Sequence, residues 1–193
     1  MDFQHILYET PDDAIVRIIL NRPKTLNAQN TRMLYEMNDA LDMAAQDDSV
    51  KVIIVAANGK HFSSGHDLRE EDPVGVQKEF KQVTTWGGFE RDGAEGQFAR
   101  EQEVYLGFCE RWRNIPKPTM VEVHGKVIAG GLMLVWPFDI VIASEDATFQ
   151  DNTVAMGICG GEFFNHPYEL GARKAKEMLF SSDEVTAEDA FRL

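Results

Sequence analysis

The chain has 193 residues, 44% of them apolar, 26% charged and 10% aromatic, a mix that fits one folded domain and excludes a disordered chain or a coiled coil. Nineteen Lys and Arg stand against 32 Asp and Glu, a net charge of −13, which argues against nucleic acid and anionic membrane as partners. Apolar runs such as Val127 to Trp136 fall short of the roughly 20 residues of a membrane span, and Met1 to His5 carries no basic patch or apolar segment of a secretory signal, so a cytoplasmic protein is expected.

His5 to Thr10 and Ala14 to Leu20 are apolar, β-branched runs around the turn signal Pro11-Asp12-Asp13 and predict a hairpin. From Thr31 to Asp47, Met33, Leu34, Met37, Leu41 and Ala44 recur at helical spacing. Val50 to Ala56 is a nearly continuous apolar run ended by Asn58-Gly59, a strand covered on both faces as in a parallel sheet. From Glu70 to Gly96 the chain turns polar and acidic and predicts a long mobile surface loop, about residues 70–97, carrying short helical pieces. Helical spacing returns from Phe98 to Trp112 and stops at Pro116 and Pro118. Thr119 to Val123 reads as a strand, Gly130 to Trp136 as a short apolar helix, Phe138 to Ala143 as a second buried strand and Ala147 to Gln150 as a short one. Helices are predicted over Arg173 to Phe180 and Ala187 to Leu193. Recurring strand–strand–helix units place the chain in the α/β class. The sequence stops inside the last helical pattern with no C-cap residue, which predicts that a C-terminal helical part is missing. The two cysteines, Cys109 and Cys159, form neither CxxC nor a zinc spacing; free buried thiols are preferred over a bridge.

Two glycine-bearing turns carry the candidate chemistry. Gly59 to Leu68 follows the buried strand, and Val127 to Met133, with Gly130-Gly131, follows the Thr119 to Val123 strand and opens a helix. Small residues there let a ligand reach backbone N–H groups. Two converging N–H donors form an oxyanion hole, the device that stabilises charge growing on a thioester oxygen. Taken singly, either turn also fits plain chain geometry.

The same segments resemble the crotonase, or enoyl-CoA hydratase/isomerase, superfamily. Asn21 to Ala28 is similar to its first signature and Gly59 to Leu68 to its oxyanion loop. Ile115 to Thr119 with His124-Gly125 and Gly130-Gly131 is similar to its second oxyanion segment, and Phe138 to Phe149 to the strand after it. The resemblance implies a single core domain over 1–193, built as a spiral of ββα units. It implies CoA thioester substrates, with coenzyme A arriving as part of the substrate rather than as a separate cofactor. It also implies an enolate held by two backbone N–H groups, and assembly as a homotrimer or dimer of trimers. By motif position the donors are the N–H groups of His66 and Gly130, the His66 side chain being incidental. Lys24, Lys60 and Arg69 fall where the family meets CoA phosphates and ribose; the alternative is that they are ordinary solvated charges. Leu26 and Ser64 fall at the adenine and pantetheine, and Asp67 and Leu68 complete the loop, Asp67 fixing its turn or capping the short helix after it. No metal centre is expected, because His61, His66 and Asp67 have no further ligand placed beside them.

Departures from the family pattern are specific. The two glutamates that handle water and the α-proton in hydratases correspond to Met133 and Thr153, and neither side chain is a base near neutral pH. Asp151 and Glu162 are the nearby replacements. Asp151 reads either as the acid/base or as a turn residue paired with Asn152, and Glu162 as a catalytic carboxylate or, the preferred reading, a helix N-terminal charge. His166 reads as an assisting group or a core histidine. The leading expectation is an acyl-CoA enzyme with atypical acid/base residues; the alternative is an acyl-CoA-binding pseudoenzyme.

Overall fold

The computed structural model describes residues 2–158 and 162–193. The hairpin forms as its turn signal dictates: β1 (Ile6–Asp12) pairs antiparallel with β2 (Ile15–Leu20), with Ile6 opposite Leu20. Helix α1 (Thr31–Gln46) starts where the Asn30 side chain accepts from the Met33 N–H at 3.1 Å, an N-cap that satisfies one orphan donor. Its apolar stripe of Met33, Leu34, Met37, Leu41 and Ala44 is buried. β3 (Val52–Ala57) then runs parallel to β2, the crossover that a helical connection permits.

The 70–97 segment is more structured than a loop. It holds α2 (Pro73–Gln77) and leads into α3 (Gly93–Glu101), which continues through a π-helical stretch, Gln102–Gly107, into α4 (Phe108–Arg113). Between α2 and α3 the chain is tied down at Val83 and Thr84 by the buried carboxylate of Glu103, and at Phe89 by Arg100 Nη1, 2.8 Å from its carbonyl. Phe108, Cys109 and Trp112 pack inward against Tyr35 and Phe138. Burial pushes the Cys109 thiol well above its ordinary value, so it is an inert core group. Cys159 and the Gly160-Gly161 turn lie outside the described residues.

β4 (Thr119–Val123) joins β3 in parallel. At Gly125 (φ +56°) the chain turns into β5 (Lys126–Ile128), and a Cβ there would lie 2.5 Å from the Lys60 carbonyl oxygen. A 3-10 turn, Ala129–Leu134, follows. β6 (Ile140–Ala143), β7 (Thr148–Gln150) and α5 (Thr153–Met156) repeat the order: a strand of one sheet, a strand of the other, a helix. That repetition is the expected spiral of ββα units. Among the described residues the larger sheet has the order β1-β2-β3-β4-β6 and the smaller one β5-β7-β8, with β8 at Val185–Thr186. α6 (His166–Ser181) is broken at Gly171 (φ +71°), and α7 (Ala187–Phe191) is capped by Thr186.

One expectation about the sheet is overturned. β6 is not a buried strand: Ile140, Val141 and Ile142 are 40–51% exposed. It lies at the sheet edge, so β4 covers one side only. No helix among the described residues is long and apolar enough to cross a membrane.

Candidate active site

The two glycine turns meet through Gln29. In a parallel bridge with the Gly59 to Leu68 turn, the Gln29 N–H donates to Gly65 O (2.8 Å) and the Asp67 N–H donates to Gln29 O (2.8 Å). The N–H of the intervening residue, His66, faces away from that bridge and has no carbonyl partner among the described residues. The Gln29 side chain donates to Gly130 O at 2.6 Å, locking the second turn to the first. Gly130 sits in the opening turn of the 3-10 segment, where N–H groups have no intrahelical acceptor. At Gly65 (φ +91°) a Cβ would lie 2.8 Å from Ile128 O and 3.4 Å from Gly130 N, so only glycine allows the two loops this approach. Ala129, with φ at +47°, stores backbone strain at the same junction. The turns that carry His66 and Gly130 are therefore brought together at one place.

The His66 side chain is not incidental. Its ring stacks on Tyr105 at a centroid distance of 4.0 Å, and its Nε2 lies 2.8 Å from Glu162 Oε1. The ring also occupies the space a Gly130 side chain would take, a Cβ there falling 2.5–2.7 Å from its atoms. Tyr105 belongs to the π-helical stretch, a distortion that is frequent at functional sites. Its carbonyl accepts from the Phe163 N–H at 3.1 Å, which anchors the strand of chain carrying Glu162. Burial raises the Tyr105 phenol above its ordinary value, so it stays protonated. His66, Asp67, Leu68, Tyr105 and Glu162 share a cleft of about 460 Å³ with Arg100. Across Gln77 lies a second cavity of about 540 Å³, walled by Tyr35, Phe80 and Phe89.

Glu162 is thus a cleft residue rather than a helix charge, because α6 begins only at His166, after its N-cap Asn165. Asp151 is elsewhere. It is 4% exposed and outside the cleft wall, with Oδ1 accepting from the Thr153 N–H (3.0 Å) and hydroxyl (2.6 Å) and Oδ2 lying 3.0 Å from His166 Nε2. Burial alone would raise this carboxyl, but its His166 and Thr153 partners outweigh that and hold it below the usual range. A carboxylate so engaged, buried and outside the cleft that holds His66 and Glu162, is a structural group, which corrects its reading as the acid/base. Met133 is a core side chain, 1% exposed.

Of the residues expected to meet CoA, the structure brings two turns together. Pro23 packs on Gly59, which sets Lys24 and Lys60 on adjoining turns, and the Ser64 N–H donates to Leu26 O at 3.0 Å. Lys24, Leu26, Lys60 and Arg69 are exposed and lie outside the cleft wall. Asp67 fixes its turn as expected: Oδ2 pairs with Arg22 at 2.9 Å and Oδ1 accepts from the Arg69 N–H at 3.1 Å. Leu68 is 74% exposed at the cleft edge. Among the described residues no three His, Cys, Asp or Glu side chains gather as a metal centre. Two contributors went unread in the sequence, Gln29 and Tyr105. The one local hint for Gln29 is a polar residue directly before the N-cap of an apolar helix.

The sequence model of the enoyl-CoA hydratase/isomerase family matches residues 10–193. A Mycobacterium tuberculosis protein named "Putative enoyl-CoA hydratase EchA13" is 41% identical over 197 residues, covering 100% of this chain and 62% of that protein. Human "Enoyl-CoA delta isomerase 2" is 32% identical over 186 residues, covering 95% of this chain and 43% of the human protein. Among solved structures, a "probable" enoyl-CoA hydratase from Mycobacterium smegmatis superimposes with a TM-score of 0.82 at 45% identity, over 97% of this chain and 68% of that one. The chain therefore spans less than two thirds of the length of these two curated relatives. By the family match over nearly its whole length, together with this structural likeness, the chain belongs to the enoyl-CoA hydratase/isomerase family, the crotonase superfamily.

Proposed function

We propose that this protein acts on an acyl-CoA thioester through an enolate whose oxygen is held by the N–H groups of His66 and Gly130, with Glu162 as its one acid/base carboxylate. The observation that carries this reading is the meeting of the two loops at Gly65, beside a carboxylate 2.8 Å from His66 in the same cleft. Glu162 takes a proton from a carbon next to the thioester or its double bond, and the two N–H donors stabilise the charge that moves onto the carbonyl oxygen. Returning that proton to a different carbon shifts the double bond. Of the other carboxylates lining the cleft, Asp67 pairs with Arg22, Glu70 accepts from Thr31 and Glu101 from Gln97. A single acid/base carboxylate suits this transfer better than hydration, which uses a second group to deliver hydroxide. Coenzyme A enters as part of the substrate, its phosphates meeting Lys24, Lys60 and Arg69 on an otherwise acidic surface.

A panel of enoyl- and aryl-CoA esters, with products identified by mass spectrometry, tests the reading. Double-bond migration in at least one ester is expected, and crotonyl-CoA hydration is expected to be slow. Binding of free CoA by calorimetry is expected to weaken by about 1–3 kcal/mol in Lys60→Glu, the range for a lost charge-assisted contact. CoA binding with no product from any ester would replace the enzyme by an acyl-CoA-binding protein without catalysis.

Assembly as a trimer or dimer of trimers is part of the same proposal. The helical face from Phe108 to Trp112 is used within the chain, and an apolar surface that a neighbour could cover includes the exposed edge at Ile140 to Ile142. Sedimentation at micromolar concentration is expected to show at least three chains, and a stable monomer would overturn it.

A further inference from the structure

We propose that the His66 imidazole is a positioning residue for Glu162, so that this chain carries its proton-transfer carboxylate on a histidine of the oxyanion loop itself. The inference rests on the reading of Glu162 as the base and deepens it. A carboxylate oxygen only accepts, so His66 Nε2 carries the hydrogen in the 2.8 Å contact with Glu162 Oε1. That bond occupies one oxygen and leaves Oε2 as the atom that takes the substrate proton and later returns it. The ring gains and loses nothing over the cycle; its work is to hold Oε2 in place.

The position of the ring is fixed from every side. Tyr105 stacks on one face, and the missing Cβ of Gly130 makes room on the backbone side. The His66 backbone is clamped by Gln29 through Gly65 O and the Asp67 N–H. His66 Nδ1 is buried and has no hydrogen-bond partner among the described residues, which leaves the contact with Glu162 as the ring's polar bond there. Glu162 itself has no other hydrogen-bond partner among the described residues and sits next to Phe163, whose N–H is tied to Tyr105. Any residue but proline at position 66 supplies a backbone N–H, so the oxyanion hole does not require histidine. The stack and the fit over Gly130 use the flat ring, and the bond to Glu162 uses the donor at its tip.

Four variants separate the roles. With the ester found in the panel, His66→Phe keeps a flat ring for Tyr105 but removes the donor, and kcat is expected to fall at least about tenfold, toward the range for impaired acid–base catalysis. Free CoA affinity is expected to stay within about twofold, because the ring tip meets Glu162 in the cleft, whose wall does not include Lys24, Lys60 or Arg69. His66→Gln, which restores an N–H at similar reach, is expected to recover most of the loss. His66→Leu repeats the donor-free comparison should the Phe variant fail to fold. A Phe or Leu variant that melts like the parent and keeps the parent kcat, or a Gln variant no better than Leu, would overturn the positioning role. Glu162→Gln distinguishes the two levels: if it is inactive while His66→Phe is fully active, only this inference fails. If Glu162→Gln is itself active, the reading of Glu162 as the base fails with it.

Discussion

Replacing Glu162 with glutamine is expected to lower turnover of the accepted acyl-CoA by about 10²–10⁴-fold, the usual contribution of one general acid/base group. The amide keeps the volume of the side chain, and its oxygen still accepts from His66 Nε2, so the cleft stays assembled. What disappears is the ability to take a proton. The N–H groups of His66 and Gly130 are backbone groups and survive, so on the proposed reading oxyanion stabilisation is expected to persist and to leave some turnover over the uncatalysed reaction. Affinity for free CoA is expected to be unchanged, since Glu162 lines the cleft and Lys24 and Lys60 do not. Steady-state kinetics and calorimetry on the same preparation check both halves. Asp151→Asn provides the contrast: its carboxylate holds Thr153 and His166 rather than facing the cleft, so it is expected to reduce stability more than kcat.

Glu103→Ala is expected to destabilise the chain by about 3 kcal/mol and to loosen the segment between α2 and α3. Glu103 is fully buried and accepts from the Val83 N–H (3.1 Å), the Thr84 N–H (3.2 Å), the Thr84 hydroxyl and the Tyr35 hydroxyl (3.3 Å). Truncation leaves those donors buried without an acceptor and opens a void beside the stack of Tyr35 on Phe80. Urea unfolding measures the loss, and faster proteolysis between residues 78 and 92 locates it. The same group sets a pH dependence. Burial raises the Glu103 carboxyl above its ordinary value, so the folded chain holds its proton more tightly than the unfolded chain. The stability it contributes is complete below the ordinary carboxylate value and is lost as pH rises through the raised one. In Glu103→Gln that component of the slope is expected to vanish.

What the sequence by itself determined was local. Turn residues and period-2 runs placed the first hairpin, and a three- and four-residue spacing with Asn30 before it placed α1. Apolar continuity placed β3 between two parallel neighbours. Gly65 and Gly130 were legible as turns of close backbone approach because glycine marks such approach regardless of what approaches it. The matched motifs carried the family for the same reason, since they encode backbone shape.

Tertiary structure decided everything that depends on which distant residues meet. The apolar run of β6 is the same whether a strand is central or at an edge, and only the sheet order exposes Ile140 to Ile142. Asp151 and Glu162 are both carboxylates shortly after β7. Contacts with Thr153 and His166 take up the first, while His66, 96 positions away in sequence, meets the second. Tyr105 followed the spacing of a core helix, and the π-helical stretch turned it onto the His66 ring instead. A side chain's chemistry is set by its neighbours' charge, donors and burial, and those neighbours come from chain segments that no local pattern joins.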